Sequence, residues 1–354
     1  TDIDSYLDSS ENSNSFFNFK NDIIENKNVV RYNLIENLSN NIEVEFCPSI
    51  ECYNLIANSF KTANSEIKCA FYEFDEMNLS NILKNKFYEN VSIELIIDDA
   101  YLEEKPLLNL IGANSSNSNS NIKIYSDINR NTKYNNYMHN KFCVIDDKII
   151  ITGSTNPTNN CLYKNNNDLI KIDSKYLAIN FENEFDQMKL NKFGYKKDSV
   201  LEYNNLTLNF ENETYIVSSY FCPEDNCREI VLEKLNNSKV EILFANFALT
   251  DTEISNILKI KKQQGLIVEG IIEKRNLNLQ GSTVKELNKT IQIKLDKNKY
   301  NLHHKYFIID NKIVITGSAN PTGSGYDYND ENVIIIENLN FANMYKEEYL
   351  SLIK

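Results

Sequence analysis

The feature that most constrains the fold is that the chain repeats itself. The segment FCPSIEC at 46–52 returns as FCPEDNC at 221–227, and at the same offset SNILK at 80–84 returns at 255–259. Agreement without gaps over such distances marks an internal duplication. A chain of 354 residues is long enough for two sizeable hydrophobic cores, so we expect two similar halves.

Each half reads as an alternation of apolar strands and helical stretches. The strand-like runs IKCAFYEF and VEILFANF each lie between two helical segments. This alternation predicts an α/β fold in which each half is a mixed β-sheet flanked by helices. We expect one domain at 41–205 and another at 206–354, after an Asn-rich lead-in at 1–40 that is either mobile or a strap across the core. The low-complexity stretch at 113–120 is typical of a flexible surface loop.

A second repeated pattern carries the candidate chemistry. The spacing H-x-K-x4-D-x6-G-S-x-N occurs once in each half, as His139, Lys141, Asp146, Gly153, Ser154 and Asn156, and as His303, Lys305, Asp310, Gly317, Ser318 and Asn320. The β-branched runs on both sides of turn residues predict a β-hairpin. On its first strand the histidine and the lysine, two residues apart, project from the same face.

Each such hairpin gathers an imidazole, an ammonium and an amide. Two of them facing one another would put an imidazole on each side of one phosphorus atom, one to attack and the other to protonate the leaving oxygen. The lysines and asparagines of the motifs would then meet the developing negative charge, so we expect no cofactor and no metal. The seven cysteines show no C-x-x-C spacing, which argues against a zinc site.

The paired motifs, and nearly the whole chain from Phe46 onward, resemble the phospholipase D superfamily with its two HKD motifs. The resemblance implies a phosphohistidine intermediate and two tandem domains related by pseudo-twofold symmetry. It also implies one active site at their interface, for which a monomer is sufficient. In that family the N-terminal histidine is usually the nucleophile and the motif aspartates are more often structural than chemical. The candidate catalytic residues are His139, Lys141, Asp146, Ser154, Asn156, His303, Lys305, Asp310, Ser318, Asn320 and Glu331.

The two halves differ at the acidic position that, in this family, hydrogen-bonds the catalytic histidine. Glu331 occupies it in the second half, whereas the first half has Asn167, followed by Asp168. A carboxylate raises the basicity of an imidazole and fixes its tautomer. We therefore expect unequal histidines, with His303 the better supported, which leaves the choice of nucleophile open.

The cysteines bear on the compartment. Cys47 with Cys52, and Cys222 with Cys227, are either small disulfide loops or buried thiols. Because the repeat preserves both members of each pair, we favour disulfides and hence a secreted or cell-surface protein. Cys143 alternates within a strand and is interpreted as a small core residue.

The net charge of −13 argues against a surface that coats nucleic acid, but the approach to both motifs is basic and rich in tyrosine. The candidate substrate contacts are Lys133, Tyr137, Lys299, Tyr300 and His304. For His304 the favoured interpretation is a surface or core residue, and a substrate contact is the alternative. Such an approach suits a polyanionic strand and also an anionic lipid headgroup.

Three functions are compatible with these sequence features. A nuclease acting on single-stranded or otherwise accessible nucleic acid is favoured, because the halves are small and carry no lipid-targeting module. A phospholipase D or a phosphatidyl transferase of the cardiolipin synthase type, acting on anionic phospholipid, is the alternative. A catalytically inactive binding module is the third. The sequence contains no apolar run of about 18 residues, so no transmembrane segment is expected.

Overall fold

The computed structural model describes residues 34–115, 121–128 and 136–354. Most of the lead-in, part of the low-complexity stretch and the candidate substrate contact Lys133 lie outside these ranges.

The first half forms a seven-stranded mixed sheet in the order β2-β8-β7-β6-β3-β4-β5. Its strands are β2 (Glu43–Cys47), β3 (Glu66–Phe71), β4 (Ser92–Ile97), β5 (Ile122–Ser126), β6 (Lys141–Ile145), β7 (Ile149–Gly153) and β8 (Asn167–Asp173). Its helices are α1 (Ile50–Thr62), α2 (Met77–Tyr88), α3 (Lys105–Ser115), α4 (Asn159–Tyr163) and α5 (Lys175–Lys189).

The second half forms a nine-stranded sheet in the order β1-β9-β10-β16-β15-β14-β11-β12-β13. Its strands are β1 (Ile35–Asn37), β9 (Leu206–Phe210), β10 (Glu213–Cys222), β11 (Glu241–Asn246), β12 (Ile267–Ile272), β13 (Gln292–Leu295), β14 (Lys305–Ile309), β15 (Ile313–Gly317) and β16 (Glu331–Glu337). Its helices are α6 (Cys227–Asn237), α7 (Thr252–Gln263), α8 (Val284–Leu287), α9 (Gly323–Asp327) and α10 (Leu339–Leu352).

The two sheets have the same plan. From β10 to β13 the second sheet repeats the strand order of the first, and β1 and β9 extend its edge. The motif hairpin of the first sheet, β6–β7, pairs antiparallel with β3, and that of the second sheet, β14–β15, pairs antiparallel with β11. The predicted fold class, two tandem α/β domains with mixed sheets and flanking helices, is confirmed. None of the helices in the described part of the chain has both the length and the apolar character that a bilayer crossing requires.

The motif glycines allow the end of each hairpin to lie against the next strand. Gly153 has φ +140° and Gly317 has φ +135°, values that favour glycine. A Cβ at Gly153 would collide with the carbonyl of Asp168, and one at Gly317 with the carbonyl of Asn332. These close approaches bring the serine that follows each glycine onto β8 or β16.

Three disulfides cross-link the described chain. Cys47–Cys52 and Cys222–Cys227 confirm the pairs favoured by the repeat. The interpretation of Cys143 as a simple core residue is wrong, because it is bonded to Cys69. These two residues face one another in the β3–β6 register, a contact between residues 74 positions apart that the second half does not repeat.

A buried ion pair joins the two halves. Asp168 of β8 is fully buried and accepts hydrogen bonds from the second half, from Thr316 Oγ1 at 2.7 Å and Tyr345 Oη at 2.9 Å. His304 Nδ1 lies 3.1 Å from the same carboxylate, and its Nε2 lies 3.2 Å from Glu348. Both imidazole nitrogens of His304 thus face carboxylates, and the side chain is out of reach of solvent.

The expectation that His304 contacts substrate is therefore wrong. Burial alone would lower the pKa of His304, but the hydrogen bonds to Asp168 and Glu348 outweigh burial and raise it. A histidine whose pKa is raised on folding stabilises the protein below its unfolded pKa, and this contribution is lost as the pH rises through the folded pKa.

Replacing His304 with Asn, the residue that the first half has at position 140, should lower the free energy of unfolding by about 3 kcal/mol because it breaks a buried ion pair. The loss should be largest below pH 6.5, the ordinary histidine pKa, and should shrink at higher pH. Denaturant unfolding at several pH values measures it.

The matched control is His303→Asn. The pKa of His303 is lowered by burial and by Lys305, so wild type should lose stability relative to this variant as the pH falls, the opposite trend. The same pH trend in both variants would contradict the ion-pair assignment.

Candidate active site

Each motif histidine is held by the other half of the molecule. The backbone N–H of His139 donates to the carbonyl of Asp330 at 2.9 Å, and that of His303 donates to the carbonyl of Asn166 at 2.8 Å. Two isolated bridges, between Met138 and Asp330 and between Asn166 and Leu302, make the same connection. The segment before each motif hairpin therefore lies along the start of β16 or β8 of the opposite sheet.

This crossing decides which histidine receives the carboxylate. His139 Nδ1 lies 2.8 Å from both carboxylate oxygens of Glu331. The expectation that Glu331 supports the histidine of its own half is wrong, because β16 begins beside His139 and not beside His303. His139 is the histidine whose tautomer and basicity a carboxylate controls.

His303 has a neutral partner instead. Its Nδ1 lies 2.7 Å from Asn167 Oδ1. The amide of Asn167 is oriented by its own Nδ2, which donates to the carbonyl of Cys161 at 3.1 Å. Because an amide oxygen only accepts, it keeps a proton on His303 Nδ1 and leaves Nε2 for chemistry, but it stabilises a charged imidazolium less than a carboxylate does.

The two motif lysines form a buried cationic pair. Lys141 and Lys305 are 1% and 2% exposed, and each donates at 2.7 Å to the backbone carbonyl of its motif histidine. Burial lowers the pKa of Lys141 to about 8, and burial together with Lys141 lowers that of Lys305 to about 7. Two buried ammonium groups beside one another, with the pKa of Lys305 lowered in part by Lys141, form a site that an anion would stabilise.

Burial and the neighbouring charges also shift the pKa values of the two motif histidines and of Glu331. Burial and the two lysines lower the pKa of both His139 and His303 well below its usual range. Burial raises the pKa of Glu331 to about 7. Both imidazoles are therefore neutral near neutral pH, which leaves a lone pair on each.

The serines and asparagines of the motifs differ in role. Ser154 Oγ and Ser318 Oγ are fully buried and accept from the backbone N–H groups of Asp168 and Asn332, each at 2.9 Å. They hold the strands that carry the histidine partners. Asn156 Oδ1 and Asn320 Oδ1 are buried atoms without a hydrogen-bond partner among the described residues.

The motif aspartates are not catalytic, which corrects their inclusion among the candidates. Asp146 accepts from the backbone N–H groups of Ser65 at 2.8 Å and Glu66 at 3.1 Å. Asp310 accepts from those of Val240 at 2.7 Å and Glu241 at 3.0 Å. Both lie at the hairpin turn, a whole strand away from the histidines, and fix the loop that leads into β3 or β11.

The remaining candidates lie outside the buried site. Tyr137 is 39% exposed and Tyr300 is 40% exposed. Lys299 is also exposed and its Nζ lies 5.8 Å from the centre of the Tyr300 ring. Lys133 lies outside the described residues.

Two aromatic residues beside the histidines were missed by the sequence analysis. The ring of Tyr72 lies 4.9 Å from that of His139 and 5.6 Å from Lys141 Nζ. Phe247 repeats the arrangement at 5.0 Å from His303 and 5.5 Å from Lys305. Their signal was present in the repeat, since both rings follow the strand that pairs with the motif hairpin.

Two carboxylates near the site other than Glu331, those of Asp98 and Glu273, hold backbone rather than motif side chains. Asp98 accepts from the N–H of Met138 at 3.1 Å, and Glu273 from that of Leu302 at 2.7 Å. In the described residues two groups of carboxylates have oxygens close enough to share a cation: Asp98, Asp99 and Asp127, and Glu66, Asp147 and Glu182. Lys68 Nζ already lies within the second group, 2.9 Å from Glu182. Neither group includes a motif residue.

Comparison with known proteins places this site in a family. The family model described as "Cardiolipin synthase, PLD-like domain" matches residues 56–189 and 231–353. The chain therefore belongs to the phospholipase D superfamily of phosphodiesterases.

Individual relatives match less of the chain. A phospholipase D from Rickettsia bellii is 32% identical over 136 residues, which cover 38% of this chain and 68% of the relative. A mitochondrial cardiolipin hydrolase from Mus musculus is 33% identical over 104 residues, 29% of this chain and 47% of the relative. The solved structure of a phosphatidylserine synthase from Haemophilus influenzae is similar in fold, with a TM-score of 0.66, 13% identity, and coverage of 88% of this chain and 86% of that one.

The three histidines of the chain allow a direct test of this electrostatic picture. Near pH 7 His139 and His303 should be neutral with the proton on Nδ1, because burial and the lysines lower their pKa. His304 should be protonated, because two carboxylates raise its pKa. The ¹⁵N imidazole shifts followed against pH, with each histidine assigned from its His→Asn variant, measure all three. A motif histidine that titrates near 6.5, its ordinary pKa, would contradict the assignment.

Proposed function

We propose that the protein is a metal-independent phosphodiesterase in which His139 is the nucleophile and His303 is the general acid and base. The observation that carries this assignment is the crossed contact between His139 and Glu331. A carboxylate on Nδ1 makes Nε2 the free lone pair of His139 and stabilises the positive charge that this imidazole gains when it bonds to phosphorus.

The reaction proceeds in two displacements. In the first, His303 takes up a proton from solvent on Nε2 as the anionic diester binds. His139 Nε2 then attacks phosphorus, the bond to the leaving alcohol breaks, and the proton on His303 Nε2 passes to the leaving oxygen. In the second, a water molecule attacks phosphorus from the side that the alcohol left, gives its proton to His303, and releases His139. His303 is the general acid in the first step and the general base in the second, while His139 is the nucleophile in the first step and the leaving group in the second.

The two motif lysines supply the positive charge that a metal ion supplies in metal-dependent phosphodiesterases. Lys141 and Lys305 are buried beside the two imidazoles, where their interaction with an anionic phosphate is strong. Binding of the diester offsets their positive charges, which removes one cause of the lowered pKa of His303. The substrate therefore helps to place the proton that its own leaving group needs.

We propose nucleic acid, single-stranded or otherwise accessible, as the substrate. The supporting observation is an exposed ring between two cations: Lys164 Nζ lies 5.6 Å and Lys299 Nζ 5.8 Å from the centre of Tyr300. Aromatic rings with neighbouring cations bind the bases and the backbone of a single strand.

A second candidate is a phospholipid substrate. It is favoured by the names of the relatives, which include phospholipase D and cardiolipin hydrolase. Fluorescent single-stranded DNA, RNA, duplex DNA and cardiolipin vesicles, incubated in parallel in EDTA, distinguish the two candidates.

The nucleophile can be identified with bis(p-nitrophenyl) phosphate in EDTA. Because p-nitrophenolate leaves as a stable anion, His303→Asn should still release about one equivalent in a burst and then stall as a phosphorylated enzyme. His139→Asn should give no burst. Stopped-flow absorbance and intact-protein mass spectrometry measure both outcomes.

Thermal unfolding of each variant serves as the folding control. Phosphorylation of the His139→Asn protein would mean that His303 is the nucleophile and His139 the general acid and base. Loss of wild-type activity in EDTA would contradict the proposed chemistry.

A further inference from the structure

The two flanks of the active site carry different chemistry at equivalent positions. Two residues before the motif histidine stands Tyr137 in the first half and Asn301 in the second. The loop after β4 carries Tyr101 where the loop after β12 carries Asn276 at the repeat offset. A site with two similar motifs is thus bordered by two dissimilar surfaces.

The flank beside His139, the tyrosine flank, consists of Tyr72, Tyr101 and Tyr137. The ring of Tyr72 lies 4.9 Å from that of Tyr101, 5.6 Å from that of Tyr137 and 4.9 Å from the imidazole of His139. Tyr137 is 39% exposed, so the cluster leads from solvent to the imidazole. Such a surface stacks a planar, uncharged group.

The flank beside His303, the cationic flank, consists of Lys164, Arg275 and Lys299 around Tyr300. The guanidinium of Arg275 donates to the carbonyl of Lys299 at 2.6 Å and to Asn301 Oδ1, two residues from His303. The Arg275 side chain is 48% exposed. This flank presents three positive charges within reach of one exposed ring.

Charge in the neighbouring loops sharpens the difference. Residues 98–104 contain Asp98, Asp99, Glu103 and Glu104 and no basic residue, whereas residues 273–279 contain Glu273, Lys274 and Arg275. Residues 98–104 therefore form an acidic loop that repels a second phosphate, whereas residues 273–279 carry a net positive charge that attracts one.

We propose that the site binds its substrate in one direction, with a nucleobase stacked on the tyrosine flank and the next backbone phosphate bound on the cationic flank. This inference rests on the proposed nuclease function. Since His303 protonates the leaving oxygen, the chain that departs is the one that extends along the cationic flank.

Three thymidine dinucleotides, each with one scissile diester, test the direction of binding. TpT has no additional phosphate, pTpT has one at its 5′ end, and TpTp has one at its 3′ end. One of the two phosphorylated isomers should show a kcat/KM roughly tenfold above that of TpT, the effect of one charge-assisted contact. The other isomer should show no gain. The gain should fall as salt is added.

Single substitutions test whether the gain in kcat/KM depends on the tyrosine flank and the cationic flank. Lys299→Ala should abolish the difference between the isomers, whereas Lys312→Ala, an exposed lysine at the far turn of the hairpin in the same half, should preserve it. Tyr137→Ala should lower kcat/KM on all three substrates by about tenfold, the effect of one stacked base, and Tyr137→Phe should not. Thermal unfolding of each variant reports an intact fold.

Equal gains for pTpT and TpTp, or a difference that survives Lys299→Ala, would overturn the directional site while leaving the nuclease function standing. If none of the three dinucleotides is cleaved although bis(p-nitrophenyl) phosphate is, the proposed nuclease function fails first.

Discussion

The active site depends on backbone hydrogen bonds that run between the two halves, from His139 to Asp330 and from His303 to Asn166. They exist because the segment before each motif hairpin lies along a strand of the opposite sheet. Neither half alone supplies a histidine together with the residue that orients it. The buried ion pair between Asp168 and His304 stabilises the same interface between the two halves. The site is therefore assembled when this interface forms.

The crossing turns two similar motifs into a site with distinct roles. One imidazole is oriented by a buried carboxylate and the other by an amide. Two buried lysines lie beside them, and the pKa of Lys305 is lowered by burial and by Lys141. The positive charges in such a site repel one another, and binding of an anion relieves this repulsion. The different hydrogen-bond partners of the two imidazoles thus come from a single position of the repeat, Glu331 in one half and Asn167 in the other.

Much of this could be predicted from the sequence because the chain contains two copies of its own pattern. The α/β halves and the paired motif all follow from spacing that is local in the chain. The partner of Glu331, the ion pair of His304 with Asp168 and the Cys69–Cys143 disulfide could not be predicted, because each depends on which strands meet in space. Tyr72 was overlooked for another reason: a tyrosine after a strand has no distinctive spacing until the repeat pairs it with Phe247.

The most direct test of two displacements between opposed imidazoles is the stereochemistry at phosphorus. A phosphorothioate diester of one configuration would be hydrolysed in ¹⁸O-labelled water, and the configuration of the product determined. Each in-line displacement inverts phosphorus, so attack by His139 followed by attack of water predicts overall retention. Overall inversion would mean that water attacks the diester directly, and it would contradict the covalent role of His139.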